Sequence, residues 1–262
     1  MIFGMPTLLE MESLDDTMRL CKELGMEFVE LNMNLPYYQV ERLEETDYLR
    51  ELAKRYQLFY TIHLDENLNV SDFNQGVADA YRETVCRTIE AAKEIKAPIL
   101  NLHMNHGVHF TLSNGKVWLF ERYRNEYMES FQVFRTMCEE AIGDADIRIC
   151  IENTDGFKTY EKEAIEYLLE SKVFGLTWDI GHSNASNDVD EEFIMEHHEK
   201  LDHFHIHDSL EREDHMTLGT GEINLPQRLE LAKCHDCMCV VETKTIRALR
   251  ESATWLKRNR YR

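Results

Sequence analysis

The sequence predicts an α/β fold, a single (β/α)8 TIM barrel with a β-hairpin inserted after strand 4, and three observations lead there. Short β-rich runs alternate with longer helical patterns along the whole chain, and eight such units can be counted. Several of the runs are almost continuously apolar, as strands covered on both faces are. With 262 residues, 11 Gly, only 4 Pro and no Ser/Gly-rich stretch, nothing reads as a linker, so residues 1–262 form one domain. A doubly wound sheet of six or seven strands is the competing arrangement.

Taken in order, the strand runs are 2–8, 28–33, 58–64, 98–104, 147–153, 174–180, 203–208 and 238–243. The helix over 13–24 opens with Ser13 and Asp16 at the spacing of a capping box. Val77, Tyr81, Val85, Ile89, Ala92 and Ile95 repeat at steps of three and four, which predicts a second helix. Ile246, Leu249, Ala253 and Leu256 mark one face of the last. Between strand four and its helix, residues 108–120 hold Asn114-Gly115 flanked by β-formers, the signature of a hairpin. Trp178 and Phe204 alternate with polar neighbours and point away from the barrel axis, toward the helices.

Composition narrows the function. With 29 Lys+Arg against 49 Asp+Glu the net charge is −20, which excludes a surface that grips nucleic acid phosphates broadly. No apolar run approaches the roughly 18 residues of a membrane span, and no basic segment precedes the first apolar residues, so a cytoplasmic protein is expected. The seven cysteines are odd in number and scattered, so they read as reduced thiols. The run Cys234-His-Asp-Cys237-Met-Cys239 lacks a second pair to complete a zinc site.

From the third strand onward, nearly every run ends in a candidate metal ligand: His63, His103, Glu152, Asp179, His205 with His207, and Glu242. Such a group taken singly is more often a hydrogen-bonding loop residue, but recurrence on six strands of a barrel points to one mouth. A carboxylate closing an apolar strand, as in Ile-Glu-Asn-Thr at 151–154, is costly to bury without a cation or hydrogen bonds. Glu152, Asp179, His205 and Glu242 would suit Mn²⁺, Co²⁺, Mg²⁺ or Zn²⁺. His63 with His103, or His182 with Glu213 and His215, would hold additional metal, giving two or three zinc ions, or would bind substrate. Alternation lets only one of His205 and His207 reach the common point if the strand bends at its end.

The order of these pieces resembles the xylose isomerase-like TIM barrels, a superfamily of sugar epimerases, inosose dehydratases and endonuclease IV-type apurinic endonucleases. The residues that carry the resemblance are Ile-Glu-Asn-Thr with Glu152, Trp-Asp-Ile-Gly-His with Asp179 and His182, Phe-His-Ile-His-Asp-Ser with His205 and Asp208, Leu-Gly-Thr-Gly-Glu-Ile at 218–223, and Val-Val-Glu-Thr with Glu242. It implies that Glu152, Asp179, His205 and Glu242 bind one divalent ion and that Glu152 and Glu242 are the catalytic pair. It also favours His205 over His207 as ligand. The metal-chelated substrate would lose and regain a proton through an enediolate, giving isomerisation or epimerisation of a small sugar or polyol, with or without a phosphate.

The endonuclease branch is the alternative, because His63, His103, His182 and His215 match its zinc positions. The acids of Leu-Asp-Glu-Asn after His63 and Asp214 beside His215 depart from it where a phosphate backbone would lie. The partner expected is therefore a small sugar-like molecule rather than nucleic acid or membrane, in a chain that forms homo-oligomers as homologues commonly do. Arg122, Arg124, Arg212 and Lys244 are candidate anchors for a substrate phosphate, although such residues more often pair with surface acids. Trp118 and Phe110 in the hairpin are candidates to cover a sugar face.

Overall fold

In the computed structural model, which describes residues 1–113 and 115–262, eight parallel strands close into a barrel in the order β1-β12-β9-β8-β7-β4-β3-β2. They are β1 (Ile2–Pro6), β2 (Phe28–Asn32), β3 (Phe59–His63), β4 (Ile99–His103), β7 (Arg148–Glu152), β8 (Phe174–Asp179), β9 (Leu201–Ile206) and β12 (Met238–Val241). Seven lie within the expected runs, which are apolar enough to be covered on both faces, while β9 begins two residues before its run, at Leu201, and stops at Ile206. Two antiparallel ribbons are added in loops at the mouth: β5 (His109–Leu112) with β6 (Gly115–Trp118), and β10 (Asp208–Leu210) with β11 (Glu213–Met216). The first is the hairpin expected after strand four; Asn114 of its turn lies outside the described residues. The second was not expected, since it follows the seventh barrel strand with almost no break.

The helices form as their capping chemistry dictates. Ser13 accepts from the Asp16 backbone N–H at 3.1 Å to start Leu14–Leu24, and Gly25, in the left-handed region at φ 65°, ends it. The long helix Gln75–Ile95 buries Val85, Ile89, Ala92 and Ile95. In Ile246–Arg258 the buried stripe is Leu249, Ser252, Ala253 and Leu256, and the Ser252 hydroxyl accepts from the Leu218 backbone N–H at 3.0 Å. That bond ties the last helix to a loop of the mouth.

Two details of the sheet set the height of the functional side chains. Pairing is in register at the C-terminal ends, with His103 opposite Glu152 and Asp179 opposite His205. A register shift between β8 and β9 at Leu176 and Thr177 leaves Asp202 as the extra residue and turns His203 and His205 toward the axis. Trp178 and Phe204 accordingly face the helix layer, fully buried, with ring centroids 5.8 Å apart and the Arg228 guanidinium 4.4 Å over the indole.

Among the described residues, no helix is long and apolar enough to cross a membrane. The short helix Ile180–Ala185 packs so closely on the mouth that a Cβ at Gly181 would run into the imidazole of His207. We expect Gly181→Ala to lower unfolding stability by about 1–3 kcal/mol, the usual range for overpacking, measured by urea denaturation.

Candidate metal centre at the barrel mouth

Four side chains meet where strands β7, β8, β9 and β12 end. Glu152 closes β7, Asp179 closes β8, His205 is the penultimate residue of β9 and Glu242 follows β12 directly. One ligand atom from each lies within 4.8 Å of all the others. The His205 Nδ1 is 3.0 Å from Glu152 Oε1, 3.2 Å from Glu242 Oε2 and 3.9 Å from Asp179 Oδ2. All four residues are buried.

Burial should push these carboxyls toward neutrality, yet the neighbouring charges win. Glu152 is held well below the usual carboxylate range against burial by His205 and His103, and Glu242 likewise by His205, His215 and Lys244. The reciprocal effect appears on the rings. Burial would depress His205, but Glu152, Glu30 and Glu242 raise it well above its ordinary value. His63 is raised to about 9 against burial by Glu152 and Glu30.

The outer residues divide between two places. His103 Nε2 is 2.8 Å and His63 Nε2 3.5 Å from Glu152 Oε2, with the two rings edge to face. His182, His207 and His215 form a separate group whose ligand atoms also lie within 4.8 Å of one another. The His207 and His215 rings stack at 4.2 Å, and the His182 Nδ1 is buried without a hydrogen-bond partner. Of His205 and His207, the structure brings His205 to the group of four, as the resemblance favours; His207 lies just past the end of β9 at Ile206. His205 joins the carboxylate group, while His207 stands 3.0 Å from Asp179 on the other side. Glu213 stands exposed at the start of β11, opposite Leu210, outside both groups. Asp214 takes the place expected for it, 2.7 Å from His215 Nδ1 and 3.8 Å from His182 Nε2.

Several supporting residues explain the motifs. The Asn153 amide donates to the Asp179 carbonyl and accepts from the Asp179 N–H, both at 2.9 Å, clamping β7 to β8 beside the ligands. Asp208 is buried and accepts from the N–H groups of Ser209, Gly219 and Ile223, so it folds the loop over the mouth. Asn101 donates to Glu152, and Thr177 donates to Asn101 at 2.6 Å. Sequence reasoning passed over Glu30, 1% exposed and 2.9 Å from His205 Nε2. Its signal is a lone carboxylate inside the apolar run Phe-Val-Glu-Leu, away from a strand end.

Glu152 and Glu242 of this group line a cavity of about 530 Å³ that also reaches His63, His103, His182 and His215. Its rim is acidic at Glu66 and Asp155, and the Lys244 ammonium is 3.2 Å from Glu242. Arg124 pairs with Glu163. Trp118 lies against His106 and His109, whereas Phe110 is turned to solvent. His106 is itself gripped by Glu161 and Asp155 at 2.6 Å each. The seven cysteines are free, and among the described residues none enters a candidate metal group.

The donor set fits a divalent cation. Three buried carboxylate groups and an imidazole converge on one point, and the Glu242 Oε2 has no hydrogen-bond partner there, a cost that a cation would remove.

Comparison with known proteins is consistent with this geometry. A family model described as xylose isomerase-like TIM barrel matches residues 18–259. An uncharacterised protein of Methanocaldococcus jannaschii is 29% identical over 98% of this chain and 88% of its own length. A crystal structure of a D-tagatose 3-epimerase-like protein superposes with a TM-score of 0.79 at 26% identity, covering 100% of this chain and 97% of that one. The 3-keto-D-glucoside 4-epimerase of E. coli gives a TM-score of 0.74 at 17% identity over 98% and 99% of the two chains.

Because the surrounding carboxylates raise His205 well above its ordinary value, a bound cation must compete with a proton there. Apparent affinity for Co²⁺ should therefore rise with pH through the neutral range, with net proton release on binding. Titration calorimetry in buffers of differing ionisation enthalpy checks both; pH-independent binding without proton release would contradict the protonation state.

Proposed function

The chain belongs to the xylose isomerase-like TIM barrel family, and we propose that it is a divalent-metal-dependent isomerase or epimerase of a small sugar or polyol-like substrate. The observation that carries this reading is the convergence of Glu152, Asp179, His205 and Glu242 within 4.8 Å at the floor of the mouth. Similarity to a D-tagatose 3-epimerase-like structure over the whole chain supports it. Mn²⁺, Co²⁺, Mg²⁺ or Zn²⁺ all suit the mixed carboxylate and imidazole donors. A bound ion supplies polarisation of neighbouring carbonyl and hydroxyl oxygens, which acidifies the C–H between them.

The remaining chemistry falls to this chain's own residues. Glu152 and Glu242 sit on β7 and just after β12, strands separated in the barrel by β8 and β9, so the two carboxylates approach the common point from different sides. Both are ionised, as proton acceptors must be. The one that acts as acceptor takes the substrate proton, while its partner, which must enter the step carrying a proton gained from solvent, gives that proton to the opposite face and inverts the carbon. His182, partly open to the cavity, is placed to donate to a substrate oxygen. Asn153 and Asp208 hold the loops that carry these groups.

A second reading has one observation in its favour, the separate His182, His207 and His215 group with Asp214 beside it. A second ion there would make a multi-zinc phosphodiesterase of the endonuclease IV kind, cleaving abasic DNA. The acidic rim of Glu66 and Asp155 and the net charge of −20 oppose a phosphate backbone at this mouth. That reading requires the zinc-loaded protein to cut an abasic duplex and His215→Ala to lose the cut; an uncut duplex removes it.

For the epimerase reading, Glu242→Gln should keep the circular dichroism spectrum of the native fold but reduce turnover on a responsive ketose roughly 10²–10⁴-fold, the usual worth of a positioned acid or base. Incorporation of solvent deuterium at the inverted carbon should fall in step. Undiminished exchange in that variant would end the two-glutamate mechanism.

A further inference from the structure

We propose that Asp155 and Glu66 are specificity-determining residues, which accept hydrogen bonds from hydroxyls at the outer end of the substrate and so select a free polyol over its phosphate ester. The inference rests on the epimerase reading above and names the class of substrate that this mouth takes.

Both carboxylates stand on the rim of the cavity whose floor carries Glu152 and Glu242. Exposure separates the two levels: Glu152 is 1% and Glu242 8% exposed, whereas the Asp155 side chain is 75% exposed. At the floor, the Glu242 Oε2 is buried with no hydrogen-bond partner, so the cavity calls for an occupant on grounds independent of the rim. With the reacting carbon held between the two floor glutamates, the far end of a sugar comes up to the level of Asp155 and Glu66.

Each rim carboxylate is held by one oxygen and keeps the other free. His106, on the loop after β4, lies between two acids: its Nδ1 is 2.6 Å from Glu161 Oε1 and its Nε2 2.6 Å from Asp155 Oδ1. Glu161 is fully buried in the first turn of the helix Thr159–Leu169, and its Oε2 accepts from the Lys158 backbone N–H at 2.7 Å. A ring gripped in this way fixes Asp155, and against partial burial His106 holds the Asp155 carboxyl below the usual carboxylate range. On the loop after β3, Asn34 Nδ2 donates to Glu66 Oε1 at 2.7 Å and Asn34 Oδ1 accepts from the Glu66 N–H at 3.0 Å. Among the described residues, no hydrogen bond engages Asp155 Oδ2 or Glu66 Oε2. An ionised carboxylate oxygen only accepts, so it takes a hydroxyl hydrogen and repels a phosphate.

The cations of the mouth are placed elsewhere. Among the described residues no arginine lines this cavity, and its one lysine, Lys244, lies 3.2 Å from Glu242 at the floor. Arg212 lines an adjoining bay together with Asp155 and Asp214. The histidines also face the floor, His63 and His103 toward Glu152 and His215 toward Glu242. A phosphate at the outer end would meet two fixed anions, and like charges set against each other are a common means of rejecting a wrong partner.

The test loads the full-length chain with Co²⁺ and follows exchange of carbon-bound hydrogen for solvent deuterium on D-fructose, D-tagatose, D-ribulose and D-xylulose, each paired with its terminal phosphate. In every pair that responds, kcat/KM for the free ketose should exceed that for the phosphate at least about tenfold. Asp155→Asn combined with Glu66→Gln should cut that preference by about tenfold, with the loss on the free ketose appearing in KM rather than kcat. A phosphate handled as well as its ketose overturns the proposal and leaves the epimerase reading standing. A preference that the double variant keeps in full also overturns it, because the selection then arises elsewhere in the mouth. Exchange with neither member of any pair overturns both readings. Should the double variant fail to fold, added NaCl decides on the wild-type chain: screening of exposed charges should shrink the preference, and a preference indifferent to salt overturns the role of the rim.

Discussion

Carboxylates buried together in a barrel mouth are the constraint on which the rest of this structure depends. Glu30, Glu152, Asp179 and Glu242 are all shielded from water within a few side chains of one another. In a medium of low polarisability such charges repel strongly and would be driven to neutrality. Histidines stand against them instead: His63 and His103 on Glu152, His205 between all four, His207 on Asp179 and His215 near Glu242. The facing carboxylates raise His63, His205 and His215 above their ordinary values, so protons on these rings take the electrostatic place of a divalent ion. A site arranged in this way exchanges protons for metal and is poor at holding neither.

The barrel supplies what an isolated loop cluster could not. Closed pairing in register brings residues far apart in sequence, Glu30 and Glu242 among them, to neighbouring levels of one mouth. The register shift at β8 and β9 brings His203 and His205 onto the interior face. Asn153 locks the end of one ligand strand to the next, and Asp208 gathers the Ser209 N–H of β10 and two N–H groups, of Gly219 and Ile223, from the loop that follows β11. These polar residues look like active-site groups in the sequence, but their partners are backbone atoms. Rigid strands carry the ligands while the loops shape the entrance, the usual division of labour in this architecture.

Much of this was legible in the sequence because burial leaves plain marks. Eight apolar runs located eight strands, and polar residues at their ends located Glu152, Asp179, His205 and Glu242. What escaped did so for local reasons. Glu30 and Asn101 lie inside strands, where a polar side chain can reach the axis without standing at an end. The β10–β11 ribbon has no turn signal, and without it the phase of the segment from 213 to 215 is undefined. That is why Asp214, rather than Glu213, stands beside His182 and His215. β9 ends at Ile206, so His207 leaves the strand and turns to Asp179 and His215 while His205 stays with the carboxylates. Trp118 turned toward His106 and Phe110 toward solvent because the hairpin's two faces have different neighbours, which the chain order does not reveal.

The central claim is that the mouth holds one divalent ion on Glu152, Asp179, His205 and Glu242. Elemental mass spectrometry of protein purified without chelator or affinity metal tests it most directly. About one Mn, Co, Mg or Zn per chain is the predicted result, as for a single four-donor site. No bound metal after purification and reconstitution, or two to three zinc ions per chain, would contradict it.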